Sequence, residues 1–400
     1  MTDAPNIPQN AADLSLVRGG PLYQLFLHCR LSREPLDVPH RRALAIVLIT
    51  WAPMALIAVI SGHFIGGHGV PFLQHLGMHA RFLVALPLLI VAEVFVHERI
   101  KLVIAQFAQR GLIAPEDQPR FDRALASALK VRNSVVLEVL TLVVAFAGGY
   151  WVWASQTSMH VASWYRHGAA PGASIISVLT PAGYWYVFVA LPIFRFIVCR
   201  WYVRLFIWYR FLWSVSRIPL RLNALHPDHA GGLEFLNGSI MAFAPVLLAH
   251  TAALAGIVGD RIWHEGARLP QFKLELAGIV LVLILLVILP LTFFVMQLDR
   301  ARRAAVREYG LVGMNYVNDF RDKWFKGRGP QGEPVLGTAD IQSLADLSNS
   351  FEVVREMSIV PFNRLAVMRL GFVLILPLLP LTLDLMPLST MFDRVVQMLI

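Results

Sequence analysis

The chain has 400 residues, of which 56% are hydrophobic and 15% charged, against about 25% charged in an average soluble protein. With a mean hydropathy of +0.59, this balance excludes intrinsic disorder, a secreted disulfide scaffold and a collagenous repeat, and it points to an integral membrane protein. The net charge of +9 would raise nucleic acid as a partner for a soluble chain, so the placement of the basic residues decides their meaning.

The first forty residues carry Asp3, Asp13, Arg18, Arg30, Arg33, Glu34 and Asp37 with no adjacent apolar core, so no cleavable signal peptide is expected. The apolar run from Pro21 to Leu27 predicts an interfacial helix within a cytoplasmic segment, 1–42. A helix crossing about 30 Å of hydrocarbon needs roughly 20 largely uncharged residues. Seven stretches qualify: 43–62, 80–98, 133–153, 183–200, 233–258, 275–298 and 366–386. The expected fold is therefore an all-α, polytopic transmembrane bundle. In the last stretch the uncharged run from Leu370 to Leu383 is short, and Pro377, Pro380 and Pro387 leave either a seventh span or a re-entrant hairpin in 366–400.

With the N-terminus placed in the cytoplasm, 28 Lys and Arg fall inside, six outside, and Arg195 within the fourth span. The positive-inside rule selects that orientation. The basic residues then face anionic lipid, and no nucleic-acid partner is expected. Cys29 and Cys199 both fall on the inner side, where thiols stay reduced and no disulfide is expected.

Among spans 1–6, within 43–298, several keep their apolar period into charged sequence, so the second is expected to run on to Gly111, the fourth to about Ser216 and the sixth to Gly310, forming a helical collar on the inner side. The inner segment 299–365 holds an amphipathic stretch from Leu311 to Phe325, a break at Gly327-Arg328-Gly329-Pro330-Gln331-Gly332, and a helix over 340–357 that Thr338 would cap. Ile341, Leu344, Leu347, Phe351 and Val354 give that helix one apolar face. The face must bury against the collar, a neighbouring subunit or lipid, and Leu344 and Phe351 are its candidate partner-binding residues.

Two stretches, Leu225-His226-Pro227-Asp228-His229-Ala230-Gly231-Gly232-Leu233 and Ala339-Asp340-Ile341-Gln342-Ser343-Leu344-Ala345-Asp346-Leu347 continuing through Asn349-Ser350-Phe351-Glu352-Val353-Val354, resemble an uncharacterised family of bacterial multi-pass inner-membrane proteins. The resemblance implies an inner-membrane location and no activity. Where the family pattern commonly has glycine after Gly-Gly-Leu, this chain has Glu234.

Ionisable groups in the apolar phase are the best functional pointers, since each costs a few kcal/mol to place there. Counted along the helix axis, Glu93, Glu138 and Arg195 stand at similar depth above the inner arginines, and His97 lies one turn from Glu93 on the same face. They are expected to meet as a cluster, either a structural ion pair or part of an ion or proton path, because two carboxylates facing one arginine leave one free to take a proton. At the outer side His75 and His79 have the spacing of a two-ligand metal site or a pH sensor. Asn237 and Gln297 add neutral polar groups at the inner level, and His226, Asp228, Gly231 and Gly232 are expected to form a hinge between collar and bundle.

Motifs of zinc proteases, α/β-hydrolases and P-loop ATPases do not occur. Neither an enzyme nor a bound cofactor is expected. The leading expectation is a homo-oligomeric channel or transporter for an ion or small solute among membrane lipids. The alternative is a membrane-anchored sensor or scaffold that binds a partner through the 340–357 helix.

Overall fold

The computed structural model describes residues 39–66, 69–148, 163–167, 179–326 and 339–384. In chain order the helices are α1 (His40–Ile60), α2 (Leu76–Gln109), α3 (Gln118–Arg132), α4 (Val135–Ala147), α5 (Pro181–Val215), α6 (Glu234–Glu265), α7 (Lys273–Ile288), α8 (Val295–Trp324), α9 (Ala339–Glu356) and α10 (Arg364–Leu383). The described chain is all α, with isolated β-bridges and no sheet. Among the described residues six stretches are long and apolar enough to cross a membrane: α1, α2, α5, α6, the run holding α7 and α8, and α10.

These stretches match the first, second, fourth, fifth, sixth and seventh of the expected spans. The third, 133–153, is described only as the short α4, and residues 149–153 lie outside the described set. The seventh is a single helical run through Asp384, α-helical to Ile375 and 3-10 thereafter, rather than the two arms of a hairpin. Pro377 and Pro380 remove N–H donors and favour the tighter turn. The expected N-terminal interfacial helix, Cys29, the break at Gly327–Gly332, the Thr338 cap and the tail from 385 to 400 also lie outside the described residues.

Local chemistry sets the helix ends. Ser134, Thr180 and Asn363 accept hydrogen bonds from the amides of Leu137, Gly183 and Leu365 at 3.3, 3.0 and 3.0 Å, satisfying N–H groups that have no partner within the helix. Wide π-turns interrupt α2 at Ala80–Ala85 and α5 at Tyr186–Ala190, and each rotates the residues that follow about the helix axis. Leu56, Val136, Val282 and Phe372 are exposed around the belt, as side chains facing lipid tails must be.

Beyond the belt lies the basic end of the bundle, where α2 passes Arg99 and Lys101. Phe107 is fully buried there, 4.9 Å from Phe235, 6.0 Å from Phe121 and 6.3 Å from Phe294, and Phe121 in turn is 5.9 Å from Phe211. These rings join α2, α3, α5, α6 and the start of α8 into one core. Each fully buried ring contributes about 1.5–3 kcal/mol relative to exposure, so this end packs like a soluble domain.

From that core α8 projects about 38 Å between Asp299 and Trp324, and α9 folds back along it. Asp340 ties the far end: its carboxylate accepts from Lys323 Nζ at 2.6 Å and Trp324 Nε1 at 3.1 Å, and its carbonyl accepts from the Tyr316 hydroxyl at 3.0 Å. The apolar face of α9 turns inward. Val354 is buried, and Leu344, Leu347 and Phe351 are half-buried, with a Phe351 ring carbon 3.9 Å from where a Cβ on Gly310 would stand. Leu344 and Phe351, the candidate partner-binding residues, thus lie half-buried on the face of α9, with Phe351 beside Gly310 of α8.

Candidate functional site

Within the belt, α2 buries Glu93 between α1 and α5. Arg42 Nη2 donates to one carboxylate oxygen, and Arg204 Nη2 donates to the other at 2.6 Å. All three side chains are more than nine-tenths buried. Arg200, one helical turn before Arg204, lines the same cavity of about 20 Å³ together with Ile46, Ile90 and Ile197, a volume that holds a single water. Arg200 also lies within electrostatic reach of Glu138, which is half-buried in the first turn of α4. His97 is buried one turn from Glu93, its Nε2 3.7 Å from Glu98 Oε1.

The arginine within electrostatic reach of both Glu93 and Glu138 is therefore Arg200 and not Arg195. Arg195 lies five residues from Arg200 on α5, about 140° away in azimuth at about 100° per residue, and half a turn from Arg204. Arg195 instead has Tyr186, Arg81 and Cys199 as its electrostatic surroundings. The balance of the site changes with the partner. Three arginines, Arg42, Arg200 and Arg204, now serve two glutamates, so the spare carboxylate expected as a proton carrier is absent from this knot. A doubly hydrogen-bonded buried carboxylate of this kind holds helix register firmly, and removing one partner of a buried pair costs about 3–5 kcal/mol.

At the basic end the Leu225–Leu233 stretch forms a stitched turn. Asp228 accepts from the amides of Ala230, Gly232 and Glu234 at 2.9, 3.0 and 3.2 Å, and His226 Nδ1 lies 2.9 Å from its carboxylate. Burial alone would raise the Asp228 carboxyl, but those three amides and His226 outweigh it and hold the group below the ordinary carboxylate range. Arg110 donates to the Gly232 carbonyl at 3.0 Å, and the Ser358 amide donates to the His229 carbonyl at 2.6 Å. Gly231 and Gly232 have φ of +64° and +95°, conformations that favour glycine. A Cβ on Gly231 would also meet the Met357 methyl at 2.9 Å. The expected hinge is thus a braced junction, with α2, the α5–α6 connection and the chain after α9 bonded to one loop. Asn237 and Gln297 serve the same bracing: Asn237 Oδ1 accepts from the Asn363 amide at 3.0 Å, and Gln297 Nε2 donates to the carbonyls of Ser216 and Ile218 at 2.6 and 2.8 Å.

At the opposite, histidine-bearing end, Asp260 of α6 accepts from the amides of Leu76 and Gly77 at 2.7 and 2.8 Å and so caps α2 from another helix. The helices nearly touch: a Cβ on Gly256 would stand 2.5 Å from Ala80 Cβ and 2.9 Å from Gly77 Cα. His75 precedes the first turn of α2, its Nδ1 accepting from Met78 at 3.1 Å and lying 3.3 Å from Asp260. Burial, with Arg81 adding to it, pushes its imidazole down to about 3, leaving it neutral through the physiological range. His79 uses both ring nitrogens, with Trp51 Nε1 donating to Nδ1 at 3.1 Å and Nε2 3.1 Å from the Phe72 carbonyl. The two rings act as hydrogen-bonding braces and share no lone pairs for a metal. Among the described residues no three His, Cys, Asp or Glu side chains gather in a metal-binding arrangement.

Arg42, Arg204 and Asp260 are the residues that sequence reasoning missed. Arg42 sits in an Arg41-Arg42 pair that reads as a topology signal, and Arg204 is one of five basic residues between 200 and 221. The available signal for Arg204 is its setting in Trp201-Tyr202-Val203-Arg204-Leu205-Phe206, a charge surrounded by apolar side chains. No protein-family model matches the chain, and no curated protein or solved structure is significantly similar to it.

Proposed function

We propose that this chain is a bacterial inner-membrane scaffold, with its N-terminus and basic end in the cytoplasm, that docks a helix of a second polypeptide on α8. The observation that carries this reading is the outward face of α8. Leu311, Met314 and Val317 are all exposed there, Leu311 at 67% and Met314 at 62%, on a helix whose other face α9 already covers. Spacings of three and three residues keep these side chains on one side of the helix, and such a stripe is the form a partner helix recognises. The excess of basic residues at that end and the resemblance to a bacterial inner-membrane family support the sidedness and location.

Support for the scaffold over a conduit comes from the belt. Glu93 is consumed by Arg42 and Arg204, and the cavity beside it is about 20 Å³, so the carboxylate expected on a permeation path is engaged in holding helices together. No catalytic role is assigned. In cells whose copy lacks Cys29 and Cys199, Met314→Cys and Val317→Cys should each form a cross-linked adduct with a bifunctional thiol reagent. Gln342→Cys on the far side of the hairpin should not. An adduct of twice the chain mass identifies a second copy, and one of another mass a different protein. No adduct at either position, together with ion flux through purified protein in liposomes, would replace the scaffold with the transport alternative.

A further inference from the structure

A cavity of about 800 Å³ opens between the basic end of α5 and the joint of α7 with α8. Its wall combines Trp213, Arg217, Phe293, Gln297 and Arg300. The position matches a lipid head-group layer: no Asp, Glu, Lys or Arg occurs from 276 to 298, and Arg300 is the first basic residue beyond that run. Trp213 and Phe293 meet edge to face at 5.0 Å, and amphipathic aromatic rings concentrate at this depth. Arg217 stacks over Trp213 at 4.2 Å. Among the described residues, neither Arg217 nor Arg300 is paired with a carboxylate, so both guanidiniums keep their donors for a ligand.

Gln297 narrows the chemistry. Its amide nitrogen contacts two carbonyl oxygens, those of Ser216 and Ile218, which fixes the amide orientation, since an oxygen there could not donate. The amide oxygen is then left buried without a hydrogen-bond partner, and such a group costs stability until a donor reaches it. A ligand suited to the cavity therefore offers an anionic phosphate to the arginines, a hydroxyl to Gln297 and apolar chains to the surrounding belt.

We propose that this cavity is a binding site for an anionic phospholipid with a hydroxylated head group, of which phosphatidylglycerol is the simplest. The lipid would lie in the inner leaflet, where its phosphate meets Arg217 and Arg300 and its head-group hydroxyl donates to Gln297 Oε1. The site is independent of the scaffold assignment, since it needs only a membrane-embedded bundle.

The test is native mass spectrometry and thermal unfolding of the full chain in detergent, titrated separately with phosphatidylglycerol, phosphatidylcholine and inorganic phosphate. Phosphatidylglycerol should be retained and raise the unfolding temperature, whereas the other two should not. The double variant Arg217→Gln, Arg300→Gln should weaken retention by roughly 10- to 100-fold, the loss expected for hydrogen bonds to a charged group. Ala301→Trp, at another lining position, should block the cavity while leaving both arginines in place. Equal retention of phosphatidylglycerol and phosphatidylcholine would overturn the proposal, as would equal stabilisation by inorganic phosphate or unchanged retention in both variants.

Discussion

Asp228 and Asp260 do the same chemistry at opposite ends of the bundle with opposite reach. Asp228 accepts from amides two, four and six residues ahead, whereas Asp260 accepts from amides 184 and 183 residues back in the chain. The first shapes a loop, to which Arg110 and Ser358 then bond. The second fixes how deep one helix sits against another. A carboxylate facing unpaired backbone N–H groups is thus used once as a local organiser and once as a long-range fastener.

Glu93 sharpens the contrast because guanidiniums rather than amides hold it, and its loss should have the largest effect. Glu93→Leu leaves Arg42 and Arg204 buried without their carboxylate and should destabilise the protein by about 3–5 kcal/mol, measured by thermal unfolding in detergent. Replacing all three by leucine should recover most of that loss. A triple variant as unstable as Glu93→Leu would show that the knot contributes more than charge balance.

The amide-bound pair comes next. Asp260→Ala strands two N–H groups and should cost about 1–3 kcal/mol. Hydrogen exchange should rise at Leu76 and Gly77, on a different helix from the substitution. Asp228→Ala should raise exchange only at Ala230, Gly232, Glu234 and their immediate neighbours. Matching exchange patterns in the two variants would erase the distinction between organiser and fastener.

The smallest effect is a pH dependence. The Asp228 carboxyl lies below its ordinary value in the folded chain, so the unfolded chain takes up the proton first. Its stabilisation is therefore complete above about pH 4, the ordinary aspartate range, and is lost as pH falls through the lower folded value. The difference in unfolding temperature between wild type and Asp228→Asn should shrink from pH 6 to pH 3. A constant difference would mean that the charge on Asp228 contributes nothing.

The same contrast separates what the sequence discloses from what it hides. Membrane helices are legible because uncharged runs of sufficient length have few other fates, and the Asp228 turn is legible because its donors follow within six residues. Depth along a helix is legible too, which is why Glu93 and Glu138 do approach a common arginine. Azimuth is not: Arg195 and Arg204 differ by half a turn, and the π-turn at Tyr186–Ala190 shifts the face of α5 without leaving a composition signal. Arg42 is concealed for another reason, since a basic residue at the start of a span serves topology and pairing at once. The inward face of α9 is plain from its period, but whether α8 or another chain would cover it depends on how a 30-residue helix leaves the bundle, which no local pattern encodes.

The Asp260 fastener also sets an order of events during synthesis. When α2 leaves the ribosome, the acceptor for its first two amides is still 184 residues away, on the order of ten to forty seconds at typical elongation rates. Arg42 precedes Glu93 in the chain, so that half of the buried knot can close early, while the opposite end of α2 waits for α6 to insert and deliver Asp260 across the bilayer. The glycine contact between Gly77 and Gly256 can close only then. The two ends of one helix are in this way committed at different times, the basic end first and the histidine end only once α6 has arrived.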